Sequence, residues 1–586
     1  MRLRRCMLLT ALAAALAAGC ASAPPRETTA TGDYLAGRLA ARVNALGDAA
    51  TAYAEAHRIA PGDVRLLKDA FLFHAASGDI EGARPYAEKL VAGAPRSAGV
   101  GMEDLEIEEA EGLARLVLSA LALKRGDLRA ARAAHARAGE PPFVRSIAFL
   151  TDVWIESELA GPAAAIDKLD NPGAGVFTAF NPLHRGLLAE KAGRFDEARA
   201  AYAASAYTLG GPVGRAAYGA FLERQRDEAA ASYYEILGRD PGPGRRAAEQ
   251  AARRIERGRP SAAHARTTPA QGAAIAYYSF AGAMIEQAAD QRARAEEAGF
   301  NVGRPRFNTP LSLARMAIYL DPQIEDARRL VGIILSVYGD YEGAAAALAP
   351  IPPSSPNYEQ ARIEMAGGLL ARKLPTQAAA LLRDAIRRDP EGIELRWQLA
   401  GIYAGEGMHQ AAVETINAAL SSPRLGEREA WRYYVSRGGS LLELDRWEEA
   451  EADLKKAVEL GPEQAIALNY LGYSWAERGL NLDEAFTLIE KAVSLAPNSG
   501  AIIDSLGWAH YQLGDYDEAV RHLEKAASLE PDDATITDHL GDVYWRLGRP
   551  VEARYQWRRA LELDPPDKLK RALENKLEQG LDDGAA

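Results

Sequence analysis

Residues 497–531 read PNSGAIIDSLGWAHYQLGDYDEAVRHLEKAASLEP, and residues 531–565, PDDATITDHLGDVYWRLGRPVEARYQWRRALELDP, repeat the same plan one period later. Each stretch opens and closes on proline, which cannot continue a helix interior. Ten places after the proline comes a small residue, Gly507 or Gly541. A second segment carries paired alanines, Ala519 with Ala526 and Ala553 with Ala560, and a large residue, Leu523 or Trp557, stands between them. Glycine-bearing turns, Leu513-Gly514-Asp515-Tyr516 and Leu547-Gly548-Arg549-Pro550, separate the two segments. Small and large residues at helical spacing predict two antiparallel helices packed ridge into groove.

The same punctuation runs outward from this stretch. Pro462, Pro497, Pro531 and Pro565 are spaced by 35, 34 and 34 residues, and Pro322, Pro356, Pro390 and Pro423 by 34, 34 and 33. Pro61 and Pro95 are again 34 apart. The small rung recurs at Gly332, Ala366, Ala400 and Gly472, and the alanine opening the second helix at Ala344, Ala378, Ala412 and Ala485. Second alanines follow at Ala385, Ala419 and Ala492, with Leu382, Ile416 and Ile489 between. A sustained 34-residue period of helical hairpins resembles the tetratricopeptide repeat family. The resemblance is most specific over 323–565 and implies an all-α superhelical solenoid of about a dozen or more hairpins.

The N-terminal half, 34–256, is a looser version. Gly37, Ala49, Tyr53, Ala56 and Pro61 make one unit, Gly78, Ala83 and Pro95 mark the next, and Gly126 with Ala131 another. Gly193-Arg194-Phe195-Asp196-Glu197-Ala198 reads as an inter-helix turn and second-helix start. Residues 257–322 break the period: 257–271 looks like a joint, and 290–310 lengthens a hairpin before Leu311–Leu320 resumes the pattern. This joint reads equally as a surface insertion or a functional loop. At the far end, 566–586, Asp567 is placed to cap a helix whose Leu569, Leu573 and Leu577 form one apolar stripe ending at Gly580, the cover a terminal repeat needs.

Composition agrees with helix throughout and narrows the function. Aromatics are 7% and the formal net charge is −12, from 69 basic and 81 acidic residues. That balance argues against a nucleic-acid surface, which needs clustered positive charge. The two cysteines, Cys6 and Cys20, both fall in the first twenty residues. Met-Arg-Leu-Arg-Arg followed by the apolar run 6–18 reads as an export signal, too short to span a bilayer as a permanent helix. It closes on Leu16-Ala17-Ala18-Gly19-Cys20, which resembles the lipobox of bacterial lipoproteins, although Ala17 stands where leucine is commoner. The resemblance implies a signal peptide over 1–19, an acylated Cys20 and a flexible tether over 20–33. Ala21-Ser22-Ala23 offers an alternative cleavage site that would release a soluble protein.

Catalytic signatures are missing. The nine histidines form no H-E-x-x-H, there is no paired Cys/His set, and neither a metal nor a cofactor is implied. Pro241-Gly242-Pro243-Gly244 is proline-interrupted and does not cradle phosphate. Gly472-Tyr473-Ser474-Trp475-Ala476 imitates a nucleophile elbow, but no strand precedes it and its glycine is a repeat rung.

In the repeat family the first helices line a concave face. Taking the small rung as position 8, positions 5, 9 and 12 form one stripe at i, i+4 and i+7. They supply Trp397; Asn469 and Tyr473; Asp504, Trp508 and Tyr511; and Asp538, Asp542 and Trp545, a candidate groove for a basic or amide-rich partner. Trp475 and Tyr544, at position 11, are expected in the core.

Leu468-Asn469-Tyr470-Leu471-Gly472-Tyr473 and Ile503-Asp504-Ser505-Leu506-Gly507-Trp508, behind an acylated N-terminus, are similar in style to outer-membrane lipoproteins that serve as adaptors for carboxyl-terminal processing proteases. That likeness implies a non-catalytic scaffold at the periplasmic face of the outer membrane, presenting a protease and cell-wall hydrolases to each other. Ala21 after the cysteine is consistent with outer-membrane sorting. The alternative is a structural or pilotin-like component of an envelope secretion or polysaccharide-export machine.

Overall fold

The computed structural model describes residues 29–93, 102–136, 141–206, 211–239, 242–298 and 308–581. The stretch expected to be an export signal, Cys20 and most of the expected tether lie outside them. Among the described residues the structure is all-helical, with 30 α-helices and no strand, arranged as a tetratricopeptide-type solenoid. No described helix is long and apolar enough to cross a membrane. The chain divides into two compact units, one ending at Gly368 and the other beginning at Leu369.

In the second unit the rungs read from the sequence meet across each hairpin. The helices Ala465–Glu477 and Leu482–Leu495, Gly500–Gln512 and Tyr516–Leu529, and Ala534–Arg546 and Pro550–Glu562 pair in antiparallel fashion. Ile489, Leu523 and Trp557 are fully buried, flanked by buried alanines. A Cβ on Gly472 would sit 2.7 Å from Ile489, on Gly507 2.7 Å from Leu523, and on Gly541 2.5 Å from Trp557. Each glycine thus exists because the large residue of its partner helix occupies the space a side chain would need. The turns close as expected: Gly514 takes φ +79° and Gly548 φ +71°, and the Asp515 side chain accepts from the Glu518 N–H.

The terminal helix spans Asp567–Gln579 and stops at Gly580 with φ +77°. Leu573 is fully buried, and Leu569 and Leu577 pack beside it on the last hairpin. Asp567 is the first helical residue and not the cap: Pro566 occupies the cap position, where no side chain accepts a hydrogen bond. A proline there already fixes the entry angle, so the helix begins one residue earlier than the polar signal indicated.

The first unit departs from an open stack. Its hairpins begin with Ala30–Arg42 and Leu46–Ile59, then Val64–Ser77 and Ile80–Val91, Met102–Lys124 and Leu128–His135, and Pro142–Leu159 and Pro162–Leu169. Two later helices, Pro269–Glu297 and Asn308–Leu320, return to pack on the first helices of the last three of these hairpins, Val64–Ser77, Met102–Lys124 and Pro142–Leu159. Ala273, Ala274, Ala276, Tyr277 and Ala281 are buried, as are Leu311, Leu313, Ala314, Met316 and Ala317. The Tyr277 hydroxyl donates to the Leu116 carbonyl at 3.0 Å, and Phe280 meets Phe180 edge to face at 4.8 Å. A Cβ on Gly272 would fall 2.1 Å from the Trp154 ring. While 286–297 is mostly exposed helix, the break in the repeat is over 270–285 neither a surface insertion nor an exposed loop. It supplies the core against which the early hairpins close, and the compact unit continues past 256 to Gly368.

Candidate partner-binding face

Position 5 of the helix Ile393–Gly405 is Trp397, half-buried. The Arg432 guanidinium lies over its ring at 4.8 Å, and Arg432 is itself paired with Glu394. The Tyr433 hydroxyl also donates to Glu394, at 3.2 Å. Burial, reinforced by the Glu394 charge, raises the Tyr433 pKa above its ordinary value.

On Ala465–Glu477, Asn469 and Tyr473 are both half-buried. Asn469 Oδ1 is shielded from solvent and has no hydrogen-bond partner among the described residues. The Tyr473 hydroxyl is pushed up by burial and then by the carboxylates of Glu477 and Asp504. Behind them Ser474, the imitation nucleophile, is 2% exposed on the helix's packing side. Trp475 and Tyr544 are buried, as position 11 requires.

The next two helices carry the densest cluster. Trp508 on Gly500–Gln512 stacks on Tyr511 at 4.6 Å and on His539 of Ala534–Arg546 at 4.0 Å. Its indole Nε1 is buried, again with no hydrogen-bond partner among the described residues. Tyr511 accepts from Arg546 Nε at 3.2 Å. Trp545 is half-buried between Trp557, at 5.4 Å, and the Arg554 guanidinium, at 5.0 Å. Its ring also lies against the backbone of Gly580, where a Cβ would be 2.2 Å away.

The three aspartates are not the solvent-facing acids expected of a groove. Asp504, Asp538 and Asp542 are 5, 5 and 4% exposed, and each has a cation or donor inside the chain. Asp504 holds His539 Nδ1 at 3.0 Å from both carboxylate oxygens. Lys576 Nζ, from the terminal helix, donates to Asp538 at 2.7 and 2.8 Å and to Asp542 at 2.7 Å. Trp557 Nε1 donates to the other Asp542 oxygen at 2.9 Å. Carboxylates this deeply placed need such partners to offset the loss of solvation. Their role is to tie one repeat to the next, which corrects the reading of them as ligand contacts.

The electrostatics follow from this crowding. Burial opposes a charged imidazole at His539, but Asp504, then Asp538 and Asp542, outweigh it and hold the pKa above its ordinary value. Burial and the neighbouring Asp538 push the Asp542 carboxyl up to about 6, against the pull of Lys576. Burial likewise works against the Lys576 ammonium, and the two carboxylates more than offset it, raising its pKa.

His539, Lys576 and Trp557 are the residues the stripe omitted. The period contains the signal for two of them: Lys576 stands 34 residues beyond Asp542, and His539 stands 35 beyond Asp504. Each of these two partners thus comes from the next inner helix along the stack, about one period away.

Comparison with known proteins places this face within a known repeat. Residues 365–428, 436–500 and 505–568 match the tetratricopeptide repeat family. A TPR repeat-containing protein of Pseudomonas aeruginosa is 45% identical over 64 residues, 11% of each chain. Protein O-mannosyl-transferase Tmtc1 of Drosophila melanogaster is 30% identical over 133 residues, 21% of this chain and 16% of that protein. The chain thus spans 11% and 16% of the length of these two relatives. The solved APC/C hetero-tetramer Cut9–Hcn1 aligns over 95% of this chain and 97% of its own, at 15% identity and a TM-score of 0.37. Tetratricopeptide repeats act in general as protein-interaction scaffolds, and the fold is typically non-catalytic.

Proposed function

We propose that this protein is a lipid-anchored scaffold at the periplasmic face of the bacterial outer membrane, acylated on Cys20, which holds a carboxyl-terminal processing protease and cell-wall hydrolases together. The anchor rests on the lipobox-like Leu16-Ala17-Ala18-Gly19-Cys20, and the choice of partners on the adaptor-like style of the Asn469 and Asp504 segments.

One observation carries the protein-binding reading. Asn469 Oδ1 and Trp508 Nε1 are buried, one an acceptor and one a donor, and neither is satisfied within the described chain. An unmade hydrogen bond at such an atom costs about 1–3 kcal/mol, and the N–H and C=O groups of a bound polypeptide match both. Trp397, Tyr473 and Tyr511 on the same stripe supply rigid aromatic area of the kind that concentrates binding energy.

Crosslinking and pulldown from the envelope fraction tests this, using wild type and the pair Asn469→Leu with Trp508→Phe. The Phe keeps a stacking ring while removing the N–H together with part of the indole. Capture of a serine protease and hydrolases should fall at least about ten-fold, with helicity and melting unchanged, and Cys20→Ser should move the protein into the soluble fraction. Undiminished capture by the pair, or recovery of secretin and pore subunits instead, would defeat the proposal.

A further inference from the structure

The helix Pro243–Glu256 begins a hairpin that the described chain does not finish. Up to this point each first helix is followed by a second that packs back on it, as Ala229–Leu237 does on Gly211–Gln225. Pro243–Glu256 lies on Ala229–Leu237 in the usual way for the next first helix. The chain then runs to Pro269–Glu297, which packs instead against Pro142–Leu159 and Asn308–Leu320. Where a second helix would sit, a groove of about 620 Å³ remains between Ala229–Leu237 and Pro243–Glu256.

One face of Pro243–Glu256 is engaged. Arg246 is buried and donates to the carbonyls of Ser355 and Pro353 at 3.0 and 2.8 Å and to Glu359 at 2.9 Å. The groove is lined by the other face, Ala248, Ala252 and Ile255 at spacings of four and three residues, opposite Ala231. Ala231 and Ala252 are exposed, and Ile255 is 43% exposed. Alanine floors allow helix axes to come within about 8 Å, which is the function of the paired alanines elsewhere in this chain. The rim is acidic, with Glu235 and Glu256 exposed on the two helices. Arg245, the one basic residue lining the groove, is turned to the carbonyls of Gly238 and Arg239 at 3.1 and 3.0 Å.

We infer that this groove docks one amphipathic helix of a partner protein, with Ala and Leu on its contact face and Lys or Arg beside it, completing the hairpin that Pro243–Glu256 starts. The inference extends the scaffold reading to the first unit and does not use the Asn469–Trp508 stripe, so either can fail alone.

The test uses the full chain and two synthetic helical peptides of about 18 residues, long enough to be helical when bound. Both carry Ala and Leu on one face; the remaining positions are Lys in one and Glu in the other. Fluorescence anisotropy at physiological salt should show the Lys peptide binding at least about ten-fold tighter. Ala252→Trp, at an exposed position, should weaken it at least as much with the melting curve unchanged. The double variant Glu235→Lys, Glu256→Lys should reverse the preference, and Trp508→Phe should leave it intact. Equal binding of the two peptides, or binding indifferent to Ala252→Trp, overturns the inference. So does a wild-type dimer in sedimentation that Ala252→Trp dissolves, since the groove would then belong to a second copy of this chain.

Discussion

At the scale of single residues, the glycines of the second unit separate two causes that look alike in sequence. Gly541 sits under Trp557, with 2.5 Å where a Cβ would go, whereas a Cβ on Gly401 would meet nothing within 4 Å. Both are inside helices, where glycine costs about 1 kcal/mol relative to alanine. Gly541→Ala should therefore destabilise by about 1–3 kcal/mol through overpacking, and Gly401→Ala should stabilise by up to about 1 kcal/mol. Opposite shifts in denaturant midpoint at constant slope check the pair.

The buried charges make a second prediction at this scale. Removing the Lys576 ammonium with Lys576→Met leaves Asp538 and Asp542 facing each other without their cation. The expected loss is about 3–5 kcal/mol, the range for breaking a buried pair from one side, read by urea unfolding at neutral pH. His539 gives a pH signature. Its folded pKa lies above the unfolded value, so its contribution is complete below the unfolded pKa of about 6.5 and disappears as pH rises through the folded one. Melting of wild type should fall across that window, and His539→Gln should flatten the fall; parallel curves would show that the imidazole stays neutral.

Among elements, the terminal helix does two jobs that the sequence showed only in part. The Leu569, Leu573, Leu577 stripe announces a cover for the last hairpin, and the structure places it there. Nothing in that stripe indicates that the helix also delivers Lys576 and Gly580 onto Asp538, Asp542 and Trp545. Removing 567–580 should accordingly lower the melting temperature and solubility together, and expose both an apolar strip and two carboxylates without their shared cation. If thermal unfolding and monodispersity are unchanged after truncation, the helix is not the cover described.

Across the whole molecule, the unexpected result is the fate of the irregular stretch. Residues 257–322 lack the period, and their sequence reads equally as a surface insertion or a functional loop. Instead, Pro269–Glu297 and Asn308–Leu320 bury some of the most enclosed side chains of the first unit, including Tyr277 and Met316. Thr309 Oγ1 bonds Glu109 at 2.7 Å and Tyr319 bonds Glu81 at 2.5 Å, across more than 190 residues of chain. Deleting 257–320 should strip hydrogen-exchange protection from 64–159 and leave the second unit's protection in place. Persistence of protection in 64–159 would mean that the early hairpins are stable without this core.

By itself the sequence determined the hairpins: proline ladder, small rung, paired alanines and the large residue between them are local rules, and each acts within one 34-residue period. It also determined which first-helix residues share a face, because a helix has a fixed pitch. What covers that face is decided by residues one or many periods away. Only the tertiary structure shows that Asp504, Asp538 and Asp542 are bound by His539 and Lys576, that Asn469 and Trp508 keep unmet polar atoms, and that an aperiodic segment fills the first unit. The physical reason is that periodicity fixes direction on a helix, while burial depends on what arrives from elsewhere in the chain.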